Sequence, residues 1–137
     1  MLIKKIISLI FISFIIAGMA SCTEYTFYTV TVNITMKNTS NEMLYLWFSG
    51  ESMDSDKLTA PNGSRSRSFN VPYRMSGDLS SEETANMPQY AQLIAYCAHS
   101  DADVVGQELS VPYYRGKGAT VNIETDGARF KVDMTQN

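Results

Sequence analysis

Two side chains with the chemistry of a nucleophile and a base, Cys97 and His99, stand two positions apart. On a strand that spacing puts both on one face, but with Cβ atoms about 7 Å apart, beyond the hydrogen-bond reach of a Cys–His catalytic pair. Leu93 and Ala95 precede Cys97 on the same face. The expectation is therefore a buried, inert thiol, with His99 marking where the strand leaves the core. Zinc asks for three or four ligands, and His99 is the chain's one histidine, so no zinc site is expected.

Oxygen ligands are grouped in two acidic loops, Glu51/Asp54/Asp56 and Asp101/Asp103. If the loops converged they could offer calcium a weak site of about six to eight oxygens. Neither follows the EF-hand pattern, and solvated loops are the expectation. Aromatic and guanidinium groups are the better candidates for a binding surface. Tyr45 and Trp47 share one face of their strand, and Tyr73, Arg74, Tyr113, Tyr114 and Arg115 sit near strand ends. Exposed Tyr, Trp and Arg are what protein interfaces and sugar-stacking platforms use. The alternative is that Tyr45 and Trp47 are covered by a loop such as 73–89. No phosphate loop, nucleophile elbow or redox cysteine pair occurs, and no cofactor is implied.

The elements that must position these residues read as strands. From Tyr28 to Lys37 the alternation is unbroken, with Tyr28, Val30, Val32, Ile34 and Met36 on one face and Thr, Asn and Lys on the other. Asn38-Thr39-Ser40-Asn41 is turn chemistry. Met43–Ser49 is apolar on both faces, which makes it central or covered on its outer side. Residues 65–71 form a weakly alternating edge strand, its arginines discouraging pairing with another chain, closed by Pro72. Ser80-Ser81-Glu82-Glu83 has capping-box spacing for one short helical turn. Tyr90–Ala98 is an interior strand, and Gln107–Val111 is a strand closed by Pro112. Asp126-Gly127 predicts a two-residue type I′ turn, which sets Ile123 opposite Phe130 and Glu124 opposite Arg129. Val71-Pro72-Tyr73-Arg74 and Val111-Pro112-Tyr113-Tyr114-Arg115 are alike and read as two strands ending in similar ways.

About seven short strands with almost no helix predict an all-β fold. The expected form is a single β-sandwich, immunoglobulin-like or transthyretin-like, with a small closed barrel as the alternative. The Cys…Trp…Cys spacing of true immunoglobulin domains is absent.

The N-terminus has a different character. Lys4 and Lys5 precede an apolar run from Ile6 to Ala17, and Gly18-Met19-Ala20-Ser21 leads to Cys22. A charged start, an apolar core of about a dozen residues and a small-residue exit make a secretory signal, too short to span a bilayer. Met19-Ala20-Ser21-Cys22 resembles the lipobox of bacterial lipoproteins, and the resemblance covers the first 22 residues. It implies that residues 1–21 are removed and that Cys22 becomes the lipidated N-terminal residue. It further implies a small envelope lipoprotein of the Bacteroidetes type, with Thr23 after the cysteine favouring the outer membrane and the face left open. Residues 22–26 would form a tether reaching about 15 Å at most, and 27–137 the β-sandwich domain.

Removing 21 of 137 residues leaves 116, enough for one domain with its own core. Basic residues fall from 11 to 9 with Lys4 and Lys5, against 14 acidic ones, a mature charge near −5. The remaining cations cluster no further than Arg65/Arg67 and Arg115/Lys117, which argues against nucleic acid as a partner. With Cys22 acylated, Cys97 has no partner for a disulfide. The expectation is a non-catalytic, lipid-anchored envelope domain that meets an unknown protein or glycan close to the membrane. An accessory subunit of an envelope complex or appendage is the alternative, and a small hydrolase or inhibitor a more distant one.

Overall fold

The alternating segment that holds Tyr28 to Lys37 becomes the spine of the fold. In the computed structural model, which describes residues 25–77 and 80–137, it is β1 (Tyr25–Asn38). Val30, Val32, Ile34 and Met36 are buried on its inner face, as the period of two demands. Residues 1–24, with the expected leader and Cys22, lie outside the described residues. β1 opens at Tyr25, inside the segment expected as tether.

Seven further strands follow: β2 (Leu44–Phe48), β3 (Leu58–Thr59), β4 (Ser64–Ser76), β5 (Gln89–Ala98), β6 (Val105–Tyr113), β7 (Ala119–Thr125) and β8 (Phe130–Gln136). They form two four-stranded sheets, ordered β4-β1-β7-β8 and β3-β2-β5-β6. The fold is an all-β sandwich and not a closed barrel. In the immunoglobulin order the first two strands are neighbours in one sheet. Here β1 and β2 lie in different sheets and β1 runs parallel to β7, which leaves the transthyretin-like alternative.

The core lies between the sheets. Val32, Ile34, Met36, Val121 and Ile123 of the first sheet meet Leu44, Leu46, Phe48, Ala95, Cys97 and Val111 of the second. Burying such side chains contributes about 1.5–3 kcal/mol each. β2 lies between β3 and β5, and β5 between β2 and β6, so both are central strands, as expected from the apolar residues on both of their faces.

Three expectations need correction. Pro72 does not end its strand: β4 runs on to Ser76, paired with β1 throughout, and β6 likewise continues past Pro112 to Tyr113. Both are edge strands, where a residue without an N–H leaves no second neighbour short of a donor.

The last hairpin is also shifted. Thr125 pairs with Phe130, Glu124 with Lys131 and Ile123 with Val132, so the loop has four residues, not two. The Asp126 carboxylate accepts from the backbone N–H groups of Ala128 (2.9 Å) and Arg129 (2.8 Å), and Gly127 takes φ +95°. That side-chain turn closes the wider loop. A shift of two preserves the face of every side chain, and Lys131 replaces Arg129 opposite Glu124, so neither apolar pattern nor charge separates the two registers.

The third correction concerns the helix, whose capping box forms as expected but whose surroundings are more ordered than an irregular 73–89 stretch. In α1 (Ser81–Ala85) the Glu83 N–H donates to Ser80 Oγ (3.2 Å), and the Ser80 N–H donates to Glu83 Oε2 (2.9 Å).

Candidate functional site

The two outer faces of the sandwich differ in chemistry because the strands carry different alternating residues. On the first sheet, Thr31, Asn33 and Thr35 of β1 stand opposite Asn70, Ser68 and Ser66 of β4. Each pair is hydrogen-bonded across the strands, at 3.1, 2.6 and 2.8 Å. This β1-β4 half of the face is polar and satisfies itself.

On the second sheet the outward positions of β5 are Tyr90, Gln92, Ile94, Tyr96 and Ala98, and those of β2 are Tyr45 and Trp47. Trp47 lies directly across from Tyr96, and the rings stack with centroids 5.2 Å apart and planes 16° from parallel. Gly106 of β6 follows in the same row. A Cβ there would stand 3.0 Å from Tyr96 Cε1 and 3.3 Å from Ile94 Cγ2, so glycine lets Tyr96 lie flat on the edge strand. Exposed Leu58 continues the face on the other side of Tyr45. Beside the aromatic row is a shallow recess of about 390 Å³, lined by Ser49, Gln92, Leu93, Ile94 and Glu108. It opens where β2 stops: Ser49 N–H still donates to Ile94 O at 2.8 Å, and beyond it β5 has no partner on that side among the described residues.

The structure divides the aromatic candidates. Tyr45 is half-buried on this face, while Trp47 is buried beneath its stack with Tyr96. Tyr73 (1% exposed) and Tyr113 (5%) are core residues and cannot present a surface. Their inner-face parity, shared with Val71 and Val111, carried that information. Tyr114 and Arg115 are half-buried, with the Arg115 guanidinium 4.6 Å above the Tyr28 ring. Arg74 is exposed, and its backbone is held by Gln89, whose side chain accepts from Arg74 N–H (3.2 Å) and donates to Arg74 O (2.6 Å). Tyr96, Tyr90 and Ile94 were missed, although assigning Leu93, Ala95 and Cys97 to the inner face already turned them outward.

The acidic loops do not converge. β2 and β5 are antiparallel, with Tyr45 opposite Ala98 and Phe48 opposite Ala95, so the loop after Phe48 and the loop after Ala98 leave opposite ends of the sheet. The carboxylates of Glu51, Asp56 and Asp103 are also engaged. Glu51 accepts from Phe48 N–H (2.9 Å) and pairs with Arg65 (3.2 Å) and Arg67 (3.7 Å). Asp56 holds Lys57 at 2.7 Å, and Asp103 holds the Ser100 N–H (2.7 Å) and His99 (3.0 Å). Among the described residues no three His, Cys, Asp or Glu are placed to hold a metal, Asp54 and Asp101 included.

Cys97 and His99 are held apart. The Cys97 thiol is buried and accepts a hydrogen bond from Thr125 Oγ1 at 3.3 Å, and burial pushes its pKa up, away from thiolate chemistry. His99 turns to the loops, its Nε2 2.9 Å from Glu42 and its Nδ1 3.0 Å from Asp103. The arrangement ties the turn after β1 to the turn after β5.

Among the described residues no helix is long and apolar enough to cross a membrane. No family model, curated protein or solved structure matches the chain.

Proposed function

We propose that this is a non-catalytic, lipid-anchored domain of the bacterial envelope, held through Cys22, whose outer β3-β2-β5-β6 face binds a protein or glycan near the membrane. The observation that carries this reading is the asymmetry of the two outer faces. One carries over its β1-β4 half a self-satisfied ladder of Thr, Asn and Ser, while the other presents Tyr45, Tyr96, Ile94 and Leu58 beside an open recess. Aromatic groups preorganised by stacking offer contact area at little entropic cost, the property shared by interface hot spots and sugar platforms.

Two arms test it. Lipid labelling in a bacterial host should be lost on Cys22→Ser, and continued labelling would show that the lipidated residue is another. Partner capture from solubilised envelopes, with a panel of immobilised glycans alongside, should be lost in a Tyr45→Ser/Tyr96→Ser protein of unchanged fold. Identical capture by wild type and variant would sink the aromatic face as the binding surface.

A further inference from the structure

The end of the sandwich from which β1 emerges gathers the three most exposed large hydrophobic side chains among the described residues. Phe27 is 63% exposed, Tyr90 56% and Met87 50%. They come from distant points in the chain but stand at one level. Phe27 pairs across the ladder with Arg74, and the Arg74 backbone is bonded on both its groups by the Gln89 side chain. Tyr90 follows Gln89 directly, and Met87 precedes it by two positions. Phe27 belongs to the outer flank of one sheet and Tyr90 to that of the other, so an end-on approach to a flat surface brings both to one depth. Met87 is fixed from inside, its carbonyl accepting from the Tyr73 hydroxyl at 2.6 Å.

The polar groups at this end are mixed. Arg74, Arg115 and Lys117 are balanced in part by Glu82 and Glu83 of α1, and the Glu83 carboxylate is turned back onto Ser80 N–H. A nearly neutral rim with apolar and aromatic tips suits the headgroup zone of a bilayer, where Tyr and other amphipathic rings collect. The chain outside the described residues points the same way. Tyr25 is three positions from Cys22, a span of about 10 Å at full extension, so a lipid on Cys22 cannot hold this end far from the bilayer. Tethering that close turns a weak apolar contact into an intramolecular one.

We infer that this end rests in the headgroup layer of the membrane that holds the lipid, with Phe27, Met87 and Tyr90 as its contacts. The inference rests on the anchored reading proposed above. It fixes the sandwich end-on, leaves the outer β3-β2-β5-β6 face clear, and turns the Glu42–His99–Asp103 end outward.

The test uses the full-length lipidated protein in phosphatidylcholine vesicles, with and without bromine on the acyl chains. Phe27→Trp and Tyr90→Trp proteins are compared with a Val104→Trp protein at the opposite end and with wild type, whose Trp47 is buried. Brominated lipid should remove most of the added emission of the first two and leave Val104→Trp and wild type unchanged. Lipidated, floating protein in which Phe27→Trp and Tyr90→Trp are quenched no more than Val104→Trp would overturn the inference and leave the anchor standing. Protein whose intact mass shows no lipid on Cys22 would overturn the anchored reading and this inference together.

Discussion

The hydroxyl of Tyr113 donates to the carbonyl of Pro72 at 2.8 Å, joining two edge strands that belong to opposite sheets. The two Val-Pro-Tyr segments meet there: the rings of Tyr73 and Tyr113 pack edge to face with centroids 6.2 Å apart. The single Tyr73 hydroxyl proton is in turn shared between the carbonyls of Thr84 and Met87, fastening α1 to the sandwich. Tyr113→Phe should cost about 1 kcal/mol, one net hydrogen bond, in denaturant unfolding. Tyr73→Phe should cost about as much and also raise hydrogen exchange across 81–87, because the helix loses its anchor. Unchanged exchange there would show that α1 is held by other contacts.

Asn38 is a polar side chain buried at the end of β1. Its Nδ2 donates to Glu42 O (2.7 Å) and Thr59 O (2.9 Å), and its Oδ1 accepts from Ser40 N–H (2.9 Å) and Ser40 Oγ (2.7 Å). Asn38→Ala takes the buried donor from the Thr59 carbonyl and the acceptor from Ser40 N–H, while Glu42 O keeps Ser40 Oγ, and should lower stability by about 2 kcal/mol. Thermal and denaturant unfolding would measure it. A loss below half of that would mean the turn is satisfied by other groups.

Acid should loosen the open side of the sandwich. Burial alone would raise the pKa of Glu51, but the Phe48 N–H and the guanidinium groups of Arg65 and Arg67 outweigh it and hold the carboxyl below its ordinary 4.5. A group whose pKa is depressed by folding adds stability above its unfolded value, and that stability disappears as pH falls through the folded value. Wild-type stability should therefore decline below about pH 4.5, and Glu51→Gln should flatten that part of the curve while lowering stability at pH 7. A Glu51→Gln profile parallel to wild type would exclude this carboxylate as the source.

Cys97 should be unreactive in the folded protein. Its thiol is enclosed in the core, its pKa is raised by burial, and the Thr125 hydroxyl occupies the sulfur. A thiol reagent should label it only at the rate of unfolding, and quickly in denaturant. Labelling in native buffer as fast as in the unfolded chain would place the thiol at the surface.

Strand identity and facing were legible in the sequence because they follow from a period of two and from side-chain chemistry, both local properties. The inner face of β1, the apolar character of β2 and β5 on both sides, and the Ser80/Glu83 capping box needed no partner to be read. Only the tertiary structure decided what depends on which strands meet. It turned Pro72 from a strand end into a position on an edge, and it widened the Asp126-Gly127 loop because registers two residues apart look identical in pattern. It buried Tyr73 and Tyr113 against each other across the two sheets, and it parted the acidic loops by running β2 and β5 in opposite directions. It also assembled Trp47, Tyr96 and Gly106 into one row from three strands. Alternation says which way a side chain points, and only long-range pairing says what it points at.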